Sequence, residues 1–424
     1  MRLFQRLNET FLLIFVFLLP WQTKLILRSS GSNFNEISIY VSQLVLLLAL
    51  ISFFIYKLGV KESNRPTPAI WYFLGGLELF VLISFFFAPD KLLALYHYLL
   101  FLGGIGLFYL VREGINREAY EESCLNRTRI VYVFLFSVFL HSVLGIYQFL
   151  SQSSFSFKYL GLASHDPYIA GSSVVEVLSG RWLRAYGGLD HPNILGGVLV
   201  AALLLSAFLL ARKKIINSQV QMWGVILLFF SYFFALVALF FTFSRTAWSA
   251  YLIGMIVLAV ALIKKEDRWV IGRFCALSFF SILLLLLAAF PYKELVFTRF
   301  QAEGRLEKIS ISERQESIME AGAIIQKNPL FGVGTGNYVK SLALIKSGDN
   351  VQPVHNSFLF IFAESGVFAF VSIILFIFFL AKSKRSENFS LAIIVSMFVI
   401  LMLDHWLFSL PFGILFFFLI LGLI

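Results

Sequence analysis

Charged side chains are scarce in this 424-residue sequence: Asp, Glu, Lys and Arg make up 14% of it, against about 25% in an ordinary soluble domain. A chain with so little polar surface cannot cover itself in water, which excludes a soluble enzyme. Cysteine is scarcer still. The two present, Cys124 and Cys275, fall on ground expected to be cytoplasmic or buried. They supply neither a disulfide framework nor a thiolate metal cluster, so redox chemistry is not indicated. No Asp-x-Asp or His-x-x-x-His spacing occurs in the segments expected on the outer face, and no metal or other cofactor is expected. The glycine run at 332–336 follows no strand, which removes a P-loop or Rossmann reading of it.

What is abundant is apolar. Hydrophobic residues reach 59%, with 50 Phe, and the mean hydropathy is +0.85. Apolar windows of about 18 residues or more, each able to span a hydrocarbon core of about 30 Å, recur near 10–27, 37–56, 68–88, 92–111, 129–150, 192–211, 220–243, 246–263, 269–290, 356–381, 388–407 and 409–424. The expected fold is therefore all-α: a polytopic membrane protein of about twelve transmembrane helices with a large extracytoplasmic loop holding short helices. The N-terminal run follows Arg2 and Arg6 as in a signal peptide, but no small-x-small cleavage site follows it, and it is read as a retained first helix. The divisions are 1–150 (helices 1–5), 151–191 (first outer loop), 192–290 (helices 6–9), 291–355 (large outer loop) and 356–424 (helices 10–12).

The net charge of +10 has to be sorted by membrane side before nucleic acid is considered. With a cytoplasmic N-terminus, the inner connections carry Lys57, Lys61 and Arg65; Arg112, Arg117, Arg127 and Arg129; Arg212, Lys213 and Lys214; Lys264, Lys265, Arg268 and Arg273; and Lys382, Lys384 and Arg385. The short outer connections hold only Lys24, Arg28, Lys91 and Arg245. That asymmetry sets the orientation by the positive-inside rule, accounts for the basic excess, and leaves no nucleic-acid partner to invoke.

The two outer loops are the only stretches long and polar enough for a binding surface. The first carries Arg184 and closes on Gly187-Gly188-Leu189-Asp190-His191-Pro192-Asn193, where the glycines allow a tight turn and Asp190 can cap the helix that follows. The second carries Ser312-Glu313-Arg314-Gln315, read as a capping box opening a helix with Ile318, Ala321 and Ile325 on one side and ending at Asn328-Pro329. Gly332 to Tyr338 follows as an irregular glycine loop.

Three spans are expected to begin on the outer face with polar residues: His191 and Asn193 open the sixth, Ser244-Arg245-Thr246 the eighth, and His355-Asn356-Ser357 the tenth. Helix N-termini carry unpaired N–H groups and partial positive charge. Joined to Arg184, Arg245 and Arg314, they make an anion site suited to a pyrophosphate, since a planar guanidinium bridges two phosphate oxygens. Arg245 stands out because a short outer connection is where a cation is least favoured. His355 is placed to accept a proton as general base. His97 and His141 lie inside apolar helices and are expected to make interhelical hydrogen bonds. Glu364, half a turn around the helix from His355, is a poor partner for it. Together with Glu78 and Asp404 it suits a proton relay, which keeps open a second class: a secondary transporter of a small anion.

In these residues the chain resembles the O-antigen ligase and polymerase superfamily of GT-C-type membrane glycosyltransferases. The matching stretches are Arg184 to Gly197 with its His-Pro-Asn-x-Leu-Gly run, Phe243-Ser244-Arg245-Thr246-Ala247-Trp248, Asn328-Pro329-Leu330-Phe331-Gly332-x-Gly334-x-Gly336, and Val354-His355-Asn356-Ser357-Phe358-Leu359. The resemblance covers about residues 180–370; the first 150 resemble the family only in hydropathy. It implies metal-independent, inverting transfer of a glycan from an undecaprenyl-pyrophosphate carrier to a hydroxyl of a glycan or lipid A core acceptor, in the cytoplasmic (inner) membrane with the site facing the periplasm or cell exterior. Carried onto this chain, it implies His355 as base, Arg245 and Arg314 with Arg184 on the pyrophosphate, and His191, Asn193, Ser244, Asn356, Gly334 and Gly336 in support, with membrane lipid as a further partner.

Overall fold

The computed structural model describes residues 2–30, 32, 34–59, 68–116, 127–212, 219–301, 304–346, 351–383 and 388–424. Cys124 and the basic residues Lys61, Arg65, Arg117, Lys213, Lys214, Lys384 and Arg385 lie outside them. In chain order the elements are α1 (Arg2–Leu18), β1 (Lys24–Arg28), β2 (Ile37–Tyr40), α2 (Val41–Leu58), α3 (Ala69–Phe85), α4 (Lys91–Asn116), α5 (Arg127–Ser151), β3 (Val174–Val177), β4 (Gly180–Leu183), α6 (Pro192–Arg212), α7 (Gln219–Phe241), α8 (Arg245–Lys265), α9 (Arg268–Ala289), α10 (Lys293–Gln301), α11 (Arg305–Lys327), α12 (Tyr338–Ala343), α13 (Ser357–Ser383), α14 (Asn388–Leu403), α15 (Trp406–Ser409) and α16 (Pro411–Leu423).

The chain is mostly helical. Among the described residues eight helices are long and apolar enough to cross a membrane, and Ala69–Phe85, Phe389–Leu403 and Pro411–Leu423 are shorter apolar helices. The all-α expectation needs amending, because two antiparallel hairpins are present, β1–β2 and β3–β4. The window expected at 10–27 is in fact α1, which stops at Leu18, short of Pro20, and then strand β1. Proline offers no N–H to continue the helix. Likewise the window at 37–56 opens as strand through the β-branched Ile37 and Ile39 before α2 begins. The large loop is not built of short helices alone, since α11 runs for 23 residues.

A helix apolar on every side belongs in the middle of a bundle, and α6 is that helix: most of its residues are buried, and α5, α7, α8, α9 and α14 pack on it. Gly196 and Gly197 make this possible. A Cβ at Gly196 would stand 2.6 Å from the Ala247 Cβ of α8, and one at Gly197 2.5 Å from the Trp406 ring, so glycine at these positions lets α8 and that ring pack directly on the α6 backbone. By contrast α9 is little buried and shows Phe279, Phe280 and Cys275 outward. Cys275 is thus exposed, which removes the buried half of the expectation for it.

α13 is broken at Gly366 (φ 80°, ψ 179°). The backbone groups freed there are taken up by the segment 329–334: Val333 N–H donates to Ala363 O (2.9 Å) and Gly334 N–H to Glu364 O (2.9 Å), while the helix's own Val367 N–H donates to Pro329 O (3.0 Å). Glu364 adds its carboxylate, accepting from Gly336 N (2.9 Å) and Tyr338 N (3.1 Å). The described parts of 152–191 and 291–355 and the β1–β2 hairpin gather at the end of the bundle where α6, α8 and α13 begin.

Candidate active site

Three helix starts converge there. His191 precedes α6, and its Nδ1 accepts from Asn193 N (3.1 Å); this histidine, and not Asp190 as expected, takes up the helix's first free N–H. Ser244 caps α8, accepting from Ala247 N at 3.4 Å. Asn356 caps α13 through Oδ1, which accepts from Phe358 N and Leu359 N, both at 3.0 Å. Such caps satisfy backbone donors that would otherwise be stranded at a helix start.

What joins the starts of α6 and α13 is Asp404, in the break between α14 and α15 and only 3% exposed. Its Oδ2 accepts from Asn193 Nδ2 (3.0 Å), its Oδ1 from His405 N (2.9 Å), and its carbonyl from Ser357 Oγ (2.8 Å). Its Oδ1 also lies 3.7 Å from His355 Nδ1. Asn193 passes the connection on, because its Oδ1 accepts from Arg184 Nη2 (2.8 Å), while Arg184 Nε donates to Thr242 O (2.6 Å). His355, Asp404, Asn193 and Arg184 therefore form one chain of polar contacts running from the mouth of a cavity into the bundle. The cavity, about 340 Å³, is lined by Ser173, Asp190, His191, Asn193, Gln352, His355, Asp404 and His405 with Phe34 and Trp406. His191 Nε2 meets Ser173 Oγ at 2.8 Å. Burial, with the nearby Arg184 charge, pushes the His191 pKa down to about 3, leaving a neutral ring at the wall.

The arginines occupy the adjoining side. Arg245, first residue of α8, is half-buried; its Nη2 lies 3.2 Å from Glu307 Oε2 and its Nη1 donates to Arg299 O (3.4 Å). The contact to Glu307 has ion-pair distance without hydrogen-bond alignment, as that oxygen has no hydrogen-bond partner. Glu307 also pairs with Arg299 through Oε1. Arg299 in turn donates from both Nε (3.0 Å) and Nη2 (2.8 Å) to Phe243 O. Phe243 has φ +45°, a left-handed conformation that a bulky residue adopts only when its surroundings hold it. Burial lowers the pKa of Arg299 and of Arg184, but neither shift removes a guanidinium's charge at neutral pH. Arg314, on α11, has a buried Nε without a hydrogen-bond partner, and its charge bears on both Arg299 and His405. Arg245 and Arg299 thus share one buried carboxylate, Glu307, while Arg184 and Arg314 add their charges close by.

Of the residues singled out from sequence, His355, Asn193, His191 and Asn356 meet at or beside the cavity, and Arg245 and Arg314 stand in the neighbouring arginine cluster. Arg184 is 6% exposed and reaches the cavity only through Asn193. Gly334 and Gly336 do not line it: a Cβ at either would meet Ala88 or His97 at 2.4 Å, so they serve the close packing of the glycine loop on α3 and α4. The capping box at Ser312 is absent, since α11 begins at Arg305 and the Ser312 hydroxyl bonds back to Ile309 O (2.9 Å) inside the helix. Ala321 and Ile324 point inward, while Ile318 is exposed. His141 accepts not from a neighbouring helix but from Gly188 N in the turn before α6 (2.9 Å), and His97 Nδ1 has no hydrogen-bond partner.

Asp404, Arg299 and Glu307 were not foreseen in these roles. Asp404 was visible as an acid in an apolar segment, and its neighbour His405 and Pro411 marked the break. For Arg299 and Glu307 no spacing in the sequence carries a signal.

Below Arg245 an apolar groove of about 540 Å³ runs between α8 and α9, starting at Trp248 and Phe300 and continuing past Met255, Ile256 and Leu285 to Phe274. Residues 230–374 match the family model described as O-antigen ligase, a stretch that holds Arg245, Arg299, Glu307, Arg314 and His355 but not Arg184, His191, Asn193 or Asp404. No curated protein matches the chain. The match supports the O-antigen ligase and polymerase superfamily, and with it an O-antigen ligase-like glycosyltransferase set in the membrane.

Proposed function

We propose that this protein transfers a glycan from an undecaprenyl-pyrophosphate carrier to an acceptor hydroxyl on the outer side of the cytoplasmic membrane, with inversion at the anomeric carbon. The observation that carries the reading is the contact chain from His355 through Asp404 and Asn193 to Arg184, beside the arginine cluster.

The chemistry follows from the roles available. With Asp404 facing Nδ1, the ring proton sits on that nitrogen and Nε2 keeps a lone pair toward the cavity. As Nε2 takes the acceptor's proton, the acceptor oxygen bonds to the anomeric carbon from the face opposite the diphosphate. The carbon–oxygen bond to the diphosphate breaks, and its electron pair leaves on the phosphate oxygen. Arg245 and Arg314 meet that charge as it develops, which is where fixed cations lower a barrier most. Asp404 steadies the imidazolium. The 3.7 Å separation is longer than a hydrogen bond, as free-enzyme catalytic contacts often are before substrate draws them in. The groove below Arg245 suits the polyprenyl tail, and the acceptor is a glycan or a lipid A core. The transporter alternative draws less support, since of its three acids Glu364 and Asp404 are engaged in fixed hydrogen bonds and only Glu78 has carboxylate oxygens without a hydrogen-bond partner.

The test is transfer of labelled glycan from purified lipid-linked donor in detergent, comparing wild type with His355→Ala and Arg245→Ala. Loss in both supports the reading. Undiminished transfer by His355→Ala removes the base, and anion uptake by liposomes without any transfer would replace the enzyme with a carrier.

A further inference from the structure

Two histidine rings and a carboxylate lie together in the wall of the cavity. One nitrogen each from His355 and His405 and one oxygen from Asp404 lie within 4.8 Å of one another, and the rings stand 5.0 Å apart centre to centre. His355 Nδ1 is buried with no hydrogen-bond partner. His405 Nδ1 meets Ser409 Oγ at 2.7 Å, which leaves Nε2 for a ligand, and Asp404 is oriented by Asn193 Nδ2 and His405 N. Second contacts of this kind are what fix metal-binding side chains.

We propose that His355, Asp404 and His405 form a binding site for a divalent first-row transition ion, and that Zn²⁺ or a similar ion seated there inhibits glycan transfer. Two imidazoles and one carboxylate suit Zn²⁺, Co²⁺, Ni²⁺ or Cu²⁺ and are poor ligands for Mg²⁺ or Ca²⁺, which call for oxygen. Around a tetrahedral ion with bonds of about 2.1 Å the donor atoms stand about 3.4 Å apart, so the cluster has to tighten by roughly 1 Å. His355, partly exposed at the start of α13, has the freedom to supply that movement. A fourth position stays open to water from the cavity.

Inhibition rests on the proposed function; binding does not. A neutral imidazole carries one ring proton. When Nδ1 coordinates the ion, that proton belongs on Nε2, which then donates only and cannot accept the proton of an acceptor hydroxyl. Affinity is limited by charge, because a single carboxylate offsets the ion while the Arg314 charge bears on His405 and that of Arg184 on the neighbouring His191. That argues for a reversible inhibitor and against a permanently held structural ion.

The experiment uses the full chain in detergent, freed of metal with a chelator and then titrated with Co²⁺. One equivalent is expected to raise visible absorption that Zn²⁺ displaces. His405→Gln and His355→Gln, two variants at opposite sides of the cluster, should each weaken binding at least about tenfold, the loss that even an outer-shell change causes. In the transfer assay Zn²⁺ should suppress the wild type and a chelator restore it, while the transfer that His405→Gln retains should resist Zn²⁺ by at least about tenfold. Absent absorption, or absorption unchanged in both variants, overturns the site, as does equal Zn²⁺ sensitivity in His405→Gln. Stimulation by Zn²⁺ overturns the inhibitory role. Intact Co²⁺ binding in a protein that transfers no glycan leaves the metal site standing and defeats the glycosyltransferase reading instead.

Discussion

Arg299 grips the carbonyl of Phe243 with two guanidinium nitrogens, at 3.0 and 2.8 Å, while its third is paired with Glu307. Phe243 is the left-handed residue of the turn that presents Arg245, so one buried cation braces the backbone on which another stands. Removing it should loosen the turn and strand a buried acid. Arg299→Leu is expected to destabilise the protein by about 3 kcal/mol, read as a lower thermal midpoint in detergent. Arg299→Lys should fold but bind donor more weakly, because an ammonium cannot span the same two contacts. A leucine variant as stable and active as wild type would refute this brace.

Asp404 should matter for turnover more than for binding. Asp404→Asn keeps the shape but takes away the charge facing His355, and kcat is expected to drop by about 10²-fold with KM for the donor little changed. A change confined to KM would mean that Asp404 shapes the binding surface and does not orient the base.

Arg245 and Arg314 should act on the departing diphosphate. Arg245→Ala and Arg314→Ala are each expected to slow transfer by about 10²–10³-fold, the cost of removing one stabilising group from a developing anion. Arg245→Lys should recover only part of that, since the paired geometry is lost with the guanidinium. Transfer rates from a lipid-linked donor decide it, and full rescue by lysine would show that charge alone suffices.

Gly366 tests the broken helix. Its φ of +80° disfavours any side chain, and a Cβ would sit 1.9 Å from Leu330 O. Gly366→Ala should destabilise by at least about 2 kcal/mol, visible in thermal unfolding. An alanine variant melting with wild type would mean that the break does not need glycine.

Asp90 gives a pH dependence with a definite sign. Burial raises its pKa, but the hydrogen bonds from Lys340 and Arg28 and from Leu93 N outweigh it and hold the carboxyl well below its usual range. A group whose pKa is depressed by folding stabilises the fold above its unfolded value, about 3.9, and loses that contribution as the pH falls toward the folded one. Thermal midpoints measured between pH 6 and pH 3 should therefore fall more for wild type than for Asp90→Asn. Parallel curves would contradict the linkage.

The amino-acid order alone determined that the chain is a helical membrane protein, and it picked out His355, Arg245 and the polar helix starts. Hydropathy is a property of each window by itself, so apolar stretches announce helices wherever they lie. Short patterns such as Arg184 to Gly197 could be read for the same reason. The strands at Lys24 and Ile37 escaped notice because a short apolar run does not reveal whether it is strand or helix. Only tertiary structure decided that Asp404 lies beside His355, that Arg299 and Glu307 support Arg245, and that the glycine loop closes a gap in α13 instead of touching the cavity. Each of these joins residues tens to hundreds of positions apart. Which helix ends meet is set by close approaches such as Gly196 to Ala247 and Gly197 to Trp406, and no local pattern records that choice.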